Sequence, residues 1–297
     1  MAGIPFVRDL KFAYGEVDQV SPLIRRVIAE NPGPFTFLGT GVYIIGRGEV
    51  AVIDPGPPID AHLEALKRAL AGERVTHVFT THTHMDHSPL AHPLAQWAGC
   101  KVYGTPDPPG TQEHPSLEED GESGFMPDIL VNDGDVFTGP GWTLEAITTP
   151  GHMSNHVCYA LREENALFSG DHIMGWSTTV ISPPDGNMGD YYRSLAKIKD
   201  RNFDTAWPTH GPPVRDVSTF IDAYAAHRRA REEAIVARLK AGDTKIFDMV
   251  KVIYKDVDSR LHPAAARSVL AHMIHLVEAG RAVTKGPPEL ASEFHPA

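Results

Sequence analysis

Cysteine is nearly absent. Cys100 and Cys158 are the two among 297 residues, which excludes a disulfide-framed secreted scaffold. Both sit beside apolar neighbours and read as buried thiols. Long hydrophobic runs are missing too: no stretch approaches the roughly 20 apolar residues that a helix needs to cross a bilayer. Met1 to Phe6 is followed at once by Arg8, Asp9 and Lys11, so no secretory leader is expected and the expected location is cytoplasmic. No glycine-rich phosphate loop and no dinucleotide fingerprint follows any expected strand. Positive charge is in deficit and unevenly spread. Of 27 Lys+Arg and 38 Asp+Glu, Ala223 to Ala297 holds 12 and 9, leaving 15 against 29 in the remainder. So acidic a body is a poor long-range attractor for nucleic acid. Hydrophobic content of 42% and charged content of 22% suit one large core or two domains.

What the chain does have is histidine, concentrated in Thr80-Thr81-His82-Thr83-His84-Met85-Asp86-His87. Val75 to Thr80 reads as a short buried strand delivering His82 and His84 to a loop at its C-terminal end. Asp86 and His87 then open the next turn, near a helix start. Imidazole and carboxylate are natural ligands for a divalent cation. Crowding them this tightly costs solvation and repulsion unless something binds.

Elsewhere the pattern is strand, helix, strand, helix, an α/β layered domain. Phe35 to Ile45 and Glu49 to Ile53 read as strands, the second leaving Asp54 at its tip before Pro55-Gly56-Pro57-Pro58. Ile59 to Ala71 is an amphipathic helix with Ile59, Leu63, Leu66 and Leu70 on one stripe. Pro89 to Gly99 is a second helix, and Val102-Tyr103 a short strand. Residues 105 to 127 are rich in Pro, Gly, Glu and Asp and read as an exposed insertion, a lid or a disordered loop. Strand patterns resume at Asp128 to Phe137, Trp142 to Thr149, Val157 to Leu161 and Ala166 to Ser169. Asp190 to Lys199 is a helix. Thr205-Ala206-Trp207 is a last strand before His210. A boundary is expected near residues 213 to 222, giving domains 1–221 and 222–297. The second is mostly helical: Asp222 to Leu239, a helix capped by Thr244, and His262 to about Glu278. Arg281 to Thr284 suits a strand or wing, with a frayed tail after Gly286.

Seven polar residues fall at or just past expected strand ends: His82, His84, Asp86, His87, His152, Asp171 and His210. In layered α/β domains such ends gather at one edge. Five imidazoles and two carboxylates suffice for two cations. The simplest division places His82, His84 and His152 on one, and Asp86, His87 and His210 on the other, with Asp171 bridging. His82 and His84, two apart in extended backbone, project to the same face.

His82-x-His84-x-Asp86-His87, Gly151-His152, Gly170-Asp171 and His210-Gly211, in that order from about residue 17 to 215, resemble the metallo-β-lactamase superfamily. The resemblance implies a four-layer αβ/βα sandwich with the site at one edge, and the ligand division just given. It also implies that Asp54 stands behind the ligands and holds their loop. Zinc β-lactamases proper place a cysteine where this chain has Asp171, so an antibiotic-degrading role is not expected. Asp171 fits the glyoxalase II pattern, but the helices after residue 222 look like a small winged-helix domain, as in the β-lactamase-like protein 2 group. Relatives of that group include acyl-thioester hydrolases and a single-strand-specific endoribonuclease, whereas RNA-processing relatives of the other type carry a large inserted domain between the late motifs. The 39 positions from Asp171 to His210 leave no room for it.

The expected function is a dinuclear metal-dependent hydrolase. It would cleave an acyl thioester or related ester through a hydroxide shared by two divalent ions. The alternative is a metal-dependent endoribonuclease acting on single-stranded RNA. Zinc suits so nitrogen-rich a site, and iron and manganese also accept His and carboxylate. Asp86 is expected to orient the nucleophile and take its proton. His172 is expected to touch substrate or stack behind the ligands. His92 and His156 read as packing residues, and Trp176, Ser177, Thr178 and Thr179 as a pocket wall or core edge. Tyr191 and Tyr192 are weaker candidates. The basic cluster Arg228, Arg229, Arg231 meets Glu232 and Glu233 at once, and the helix from His262 offers essentially Arg267. The C-terminal helices are therefore expected to act as scaffold or substrate wall rather than as a reader of nucleic acid. The expected partners are a small-molecule acyl ester or thioester and no membrane, with a homodimer as an option.

Overall fold

The structure, a computed structural model, describes residues 3–107 and 124–297. Two sheets lie face to face. The first has seven strands in chain order: β1 (Asp18–Gln19), β2 (Ile24–Ile28), β3 (Gly41–Arg47), β4 (Glu49–Ile53), β5 (Arg74–Phe79), β6 (Lys101–Gly104) and β7 (Ile129–Leu130). Pairing is antiparallel from β1 to β4 and parallel from β4 to β7. The second sheet runs β13 (Val214–Arg215), β12 (Thr205–Pro208), β11 (Ala166–Gly170), β10 (Val157–Leu161), β9 (Trp142–Thr148) and β8 (Val136–Gly139). Only β11 and β12 pair in parallel there.

The side-chain period of two builds three apolar layers from these strands. In β3 and β4, Tyr43, Ile45, Ala51 and Ile53 face the second sheet, where they meet Tyr159, Leu161, Phe168 and Trp207. Val42, Ile44, Val50 and Val52 point the other way, onto Leu66 and Leu70 at the end of α1 (Asp60–Ala69) and Leu94 of α2 (Ala91–Ala98). In β10, Val157, Tyr159 and Leu161 face inward. Cys158 and Ala160 face outward, onto α3 (Met188–Asp200) and the first turns of α4 (Val217–Lys240). With both sheet faces covered, β4 and β10 read as unbroken apolar runs. Each fully buried Leu, Ile or Phe contributes about 1.5–3 kcal/mol to this packing.

The second half of α4 enters a separate core. Ile235 and Leu239 pack there with α5 (Ile246–Ile253), α6 (His262–Glu278) and a small hairpin of β14 (Ala282–Thr284) and β15 (Phe294–Pro296). Helices, hairpin and order are those of a winged-helix unit.

Several expectations change. β2 was not anticipated, and β3 starts at Gly41 rather than Phe35, because residues 33–37 fold into a turn closed by Gly33 and Phe37. Helix α4 begins at Val217, five residues before Asp222, capped by the Asp216 carboxylate on the Thr219 amide. Thr244 does not cap α5: Lys245 holds that position without a side-chain bond, and the Thr244 carbonyl accepts the Phe294 amide instead. The tail is not frayed, since β15 pairs with β14 and Phe294 is fully buried. Most of the expected insertion at 105 to 127 lies outside the described residues. Its described ends meet where the Asp107 amide donates to the Phe125 carbonyl.

Candidate metal centre

Strand ends place every ligand candidate. β5 ends at Phe79, and the loop to α2 carries His82, His84, Asp86 and His87. β9 leads to His152, β11 to Asp171 and β12 to His210, all on one edge of the sandwich. Two glycines make this possible. Gly170 before Asp171 has φ +50°, and a Cβ there would lie 2.5 Å from His156 Nε2. Gly151 before His152 has φ +145° and lies against the backbone of Tyr191. Neither position tolerates a side chain.

The ligand atoms converge. His82 Nε2 and His84 Nδ1 are 3.0 Å apart, and His152 Nε2 is 3.2 Å from His84 Nδ1. Nitrogens bound to one zinc-sized ion sit about 3.3 Å from each other, so this trio already has the spacing of a coordination face. In a second trio, Asp86 Oδ2 lies 3.0 Å from His210 Nε2 and 3.5 Å from His87 Nε2. Asp171 stands between them. Its Oδ2 is 3.9 Å from His152 Nε2, while its Oδ1 is 3.5 Å from His210 Nε2 and 3.7 Å from His87 Nε2. His87 Nε2 and Asp171 Oδ1 are buried without a hydrogen-bond partner among the described residues. That is the condition of atoms awaiting a cation. The residues fit divalent metal.

Four of the five imidazoles commit Nδ1 to the protein and turn Nε2 inward, the tautomer that metal binding needs. His87 Nδ1 donates to Asp54 Oδ2 (2.9 Å), His152 Nδ1 to the Val180 carbonyl (2.7 Å) and His210 Nδ1 to the Gly39 carbonyl (3.2 Å). His82 Nδ1 lies 3.0 Å from Thr81 Oγ1, which itself donates to Asp54 Oδ2. Asp54, 1% exposed, also accepts the Thr81 amide (2.7 Å) and the Thr209 hydroxyl (3.0 Å). One carboxylate thus ties the ligand loop to the strand end that carries His210.

The electrostatics divide the centre. Burial, reinforced by neighbouring imidazoles, holds His82 well below the ordinary histidine value and lowers His84 to about 3. Both are neutral donors at physiological pH. His87 and His210 go the other way: burial disfavours their charge, but nearby carboxylates outweigh it, Asp86 foremost for His87 and Asp171 for His210. Asp86 and Asp171 are both held well below the carboxylate range because those imidazolium neighbours outweigh burial. A metal ion would replace the protons of this ion-paired half. His84, Asp171 and Asp86 are 9%, 7% and 6% exposed, while His82 and His87 are sealed. Solvent therefore reaches the centre past His84 and the two carboxylates.

The remaining candidates separate clearly. His156 stacks on His82 (5.1 Å, 29°), bonds Thr149 Oγ1 through Nδ1 and accepts the Asp171 amide at Nε2, a support for two ligands. His172 is fully buried and edge-on to Tyr191 at 4.9 Å. It also packs against His156, ring centroids 6.0 Å apart. His92 lies on α2, bonded to the Met126 carbonyl. Tyr191 is buried with its hydroxyl on the His172 carbonyl, and Tyr192 faces His275 of α6. Trp176 packs on Gly211, next to His210. Sequence reasoning missed its partner Phe37, whose ring stacks on it at 4.7 Å and 10° and whose φ is +55°. It also missed Thr81 and Thr209, whose signal was only that each precedes a ligand. Arg228 is no surface cation: it is buried and donates to the Thr179 carbonyl.

A mixed four-layer sandwich with a histidine and aspartate cluster at its strand-end edge defines a metal-dependent hydrolase. The chain belongs to the metallo-β-lactamase superfamily, whose pattern matches residues 36–210, and the beta-lactamase associated winged helix domain matches residues 246–287. It is 33% identical over 262 residues to the beta-lactamase-like protein 2 homolog of Caenorhabditis elegans, covering 85% of this chain and 83% of that one. It is 32% identical over 248 residues to the atrochrysone carboxyl ACP thioesterase of Claviceps purpurea (strain 20.1), covering 80% and 74%. In fold it is similar to a beta-lactamase domain protein from Burkholderia ambifaria (TM-score 0.81, 22% identity, 97% and 96% covered). A metallo-beta-lactamase family protein from Thermus thermophilus follows (TM-score 0.73, 22% identity, 94% and 100% covered).

Proposed function

We propose that this hydrolase is dinuclear and cleaves an acyl thioester or related ester. The observation that carries the reading is the divided carboxylate of Asp171, one oxygen toward His152 and the other toward His87 and His210. Two divalent ions, zinc by the nitrogen-rich donor set, would supply Lewis acidity toward a carbonyl and bring water's pKa toward neutrality. His82, His84 and His152 would hold the first and Asp86, His87 and His210 the second. Asp86 lies at the solvent-reachable side, where its carboxylate orients the attacking water and takes its proton. Phe37 and Trp176, half-buried beside His210, form an apolar wall for the acyl group. A ligand set without cysteine and relatives named as thioesterases both favour acyl transfer to water. We further propose residues 1–221 and 222–297 as two units joined through α4, and a cytoplasmic site of action, in keeping with two free cysteines.

The test is metal analysis followed by parallel rates on acyl thioesters, simple esters, lactones and single-stranded RNA. Thioester hydrolysis should dominate at about two metal equivalents. Asp171→Ala should reduce turnover to background while leaving the circular dichroism spectrum unchanged. A single equivalent at full activity, or preferential RNA cleavage, would overturn the proposal.

A further inference from the structure

One support of the metal centre comes from the C-terminal helices. The segment from Trp176 to Asn187 runs between them and the ligands. Its Val180 carbonyl accepts His152 Nδ1 at 2.7 Å. One residue earlier, the Thr179 hydroxyl donates to the Asp171 carbonyl at 2.8 Å and lies 3.0 Å from that of His172. The Thr179 carbonyl in turn accepts Nη2 of Arg228, which projects from α4. Four residues on, the Pro183 carbonyl accepts Nη1 of Arg267 from α6 at 3.4 Å.

Arg228 is 5% exposed and lies against the ring of Tyr191, its Cζ 5.7 Å from the centroid. Among the described residues no carboxylate forms an ion pair with it. Burying a guanidinium without such a partner costs several kcal/mol, and a methionine would fill the space without that cost. What the guanidinium adds is a fixed donor on one peptide of the segment.

We propose that Arg228 is a positioning residue for the metal ligand His152. By holding the Thr179 carbonyl it fixes the 179–180 backbone, whose next carbonyl sets the orientation of the His152 ring. The C-terminal helices then tune the metal affinity of the centre. The inference rests on the metal-centre reading above. Direct hydrogen-bond partners of ligating histidines are worth 10–100-fold in metal affinity, and Arg228 acts one bond further out.

The test is competition for zinc between the full-length protein and a chromogenic chelator, alongside thermal melts of the metal-free forms. Arg228→Gln should weaken the tighter-bound zinc about tenfold, and Arg228→Lys, which keeps a donor in place, should recover part of that loss. Leu239→Ala, a packing change in the same helix, should lower the melting temperature without altering zinc affinity. Wild-type affinity in folded Arg228→Gln, or an equal loss in Leu239→Ala, overturns the inference. Should Arg228→Gln fail to fold, Arg228→Lys and Arg267→Ala decide, and unchanged affinity in both is equally fatal. A wild-type protein that takes up no zinc would instead bring down the metal-centre reading itself.

Discussion

Asp54 shows what one residue contributes here. It binds no metal, yet its carboxylate accepts from Thr81 twice, from Thr209 and from His87. Asp54→Ala would release the His87 tautomer and the ligand loop together. Metal affinity measured by chelator competition should fall 10–100-fold, with the fold retained. The clustering of these side chains was legible in the sequence because few other roles justify so many imidazoles beside carboxylates. The Val180 and Gly39 carbonyls that orient His152 and His210 were not, because a backbone acceptor leaves no trace in residue type. His62 offers a separate titration. It is 4% exposed on α1, and burial lowers its pKa to about 4 against the ordinary 6.5. The unfolded chain therefore takes up a proton that the folded one refuses. Stability from this group is complete above pH 6.5, declines as pH falls, and is lost near pH 4, by about 3 kcal/mol. Urea denaturation of His62→Gln at pH 7 and pH 4.5 should show a smaller acid penalty than the wild type.

Among the elements, the strands with period-two apolar patterns were readable, and β2 was not. Its sequence, Ile24-Arg25-Arg26-Val27-Ile28, has two cations at its centre, which reads as surface. The fold buries both: Arg25 pairs with Glu73 at 2.6 Å and bonds the Gly46 carbonyl, while Arg26 pairs with Asp18 at 2.9 Å. Partners 48 and 8 residues away are invisible to local patterning. Removing one member of a buried pair strands the other, so Glu73→Gln should cost about 3 kcal/mol, read from the denaturation midpoint at unchanged slope. The tail was misread for a related reason. Pro287 and Pro288 suggest fraying, but Phe294 finds a closed apolar socket between α5, α6 and β14.

The molecule as a whole is joined by α4, a 24-residue helix about 36 Å long. Val217, Phe220, Ile221 and Tyr224 belong to the sandwich core, and Ile235 and Leu239 to the winged-helix core. Its start was hidden because the first turn, Val217-Ser218-Thr219-Phe220, is built of only middling helix formers. With no linker between the two cores, scanning calorimetry should record one transition rather than two. Chelation should lower its midpoint, by about 2.7 kcal/mol of stability for each site whose metal stands at a hundred times its dissociation constant. The reason lies in where the ligands originate. His82 and His84 belong to the first sheet and His152 to the second; Asp86 and His87 belong to the first and His210 to the second. Each cation would thus act as a rivet through both halves of the sandwich, so that catalysis and mechanical cohesion at this edge depend on the same bonds.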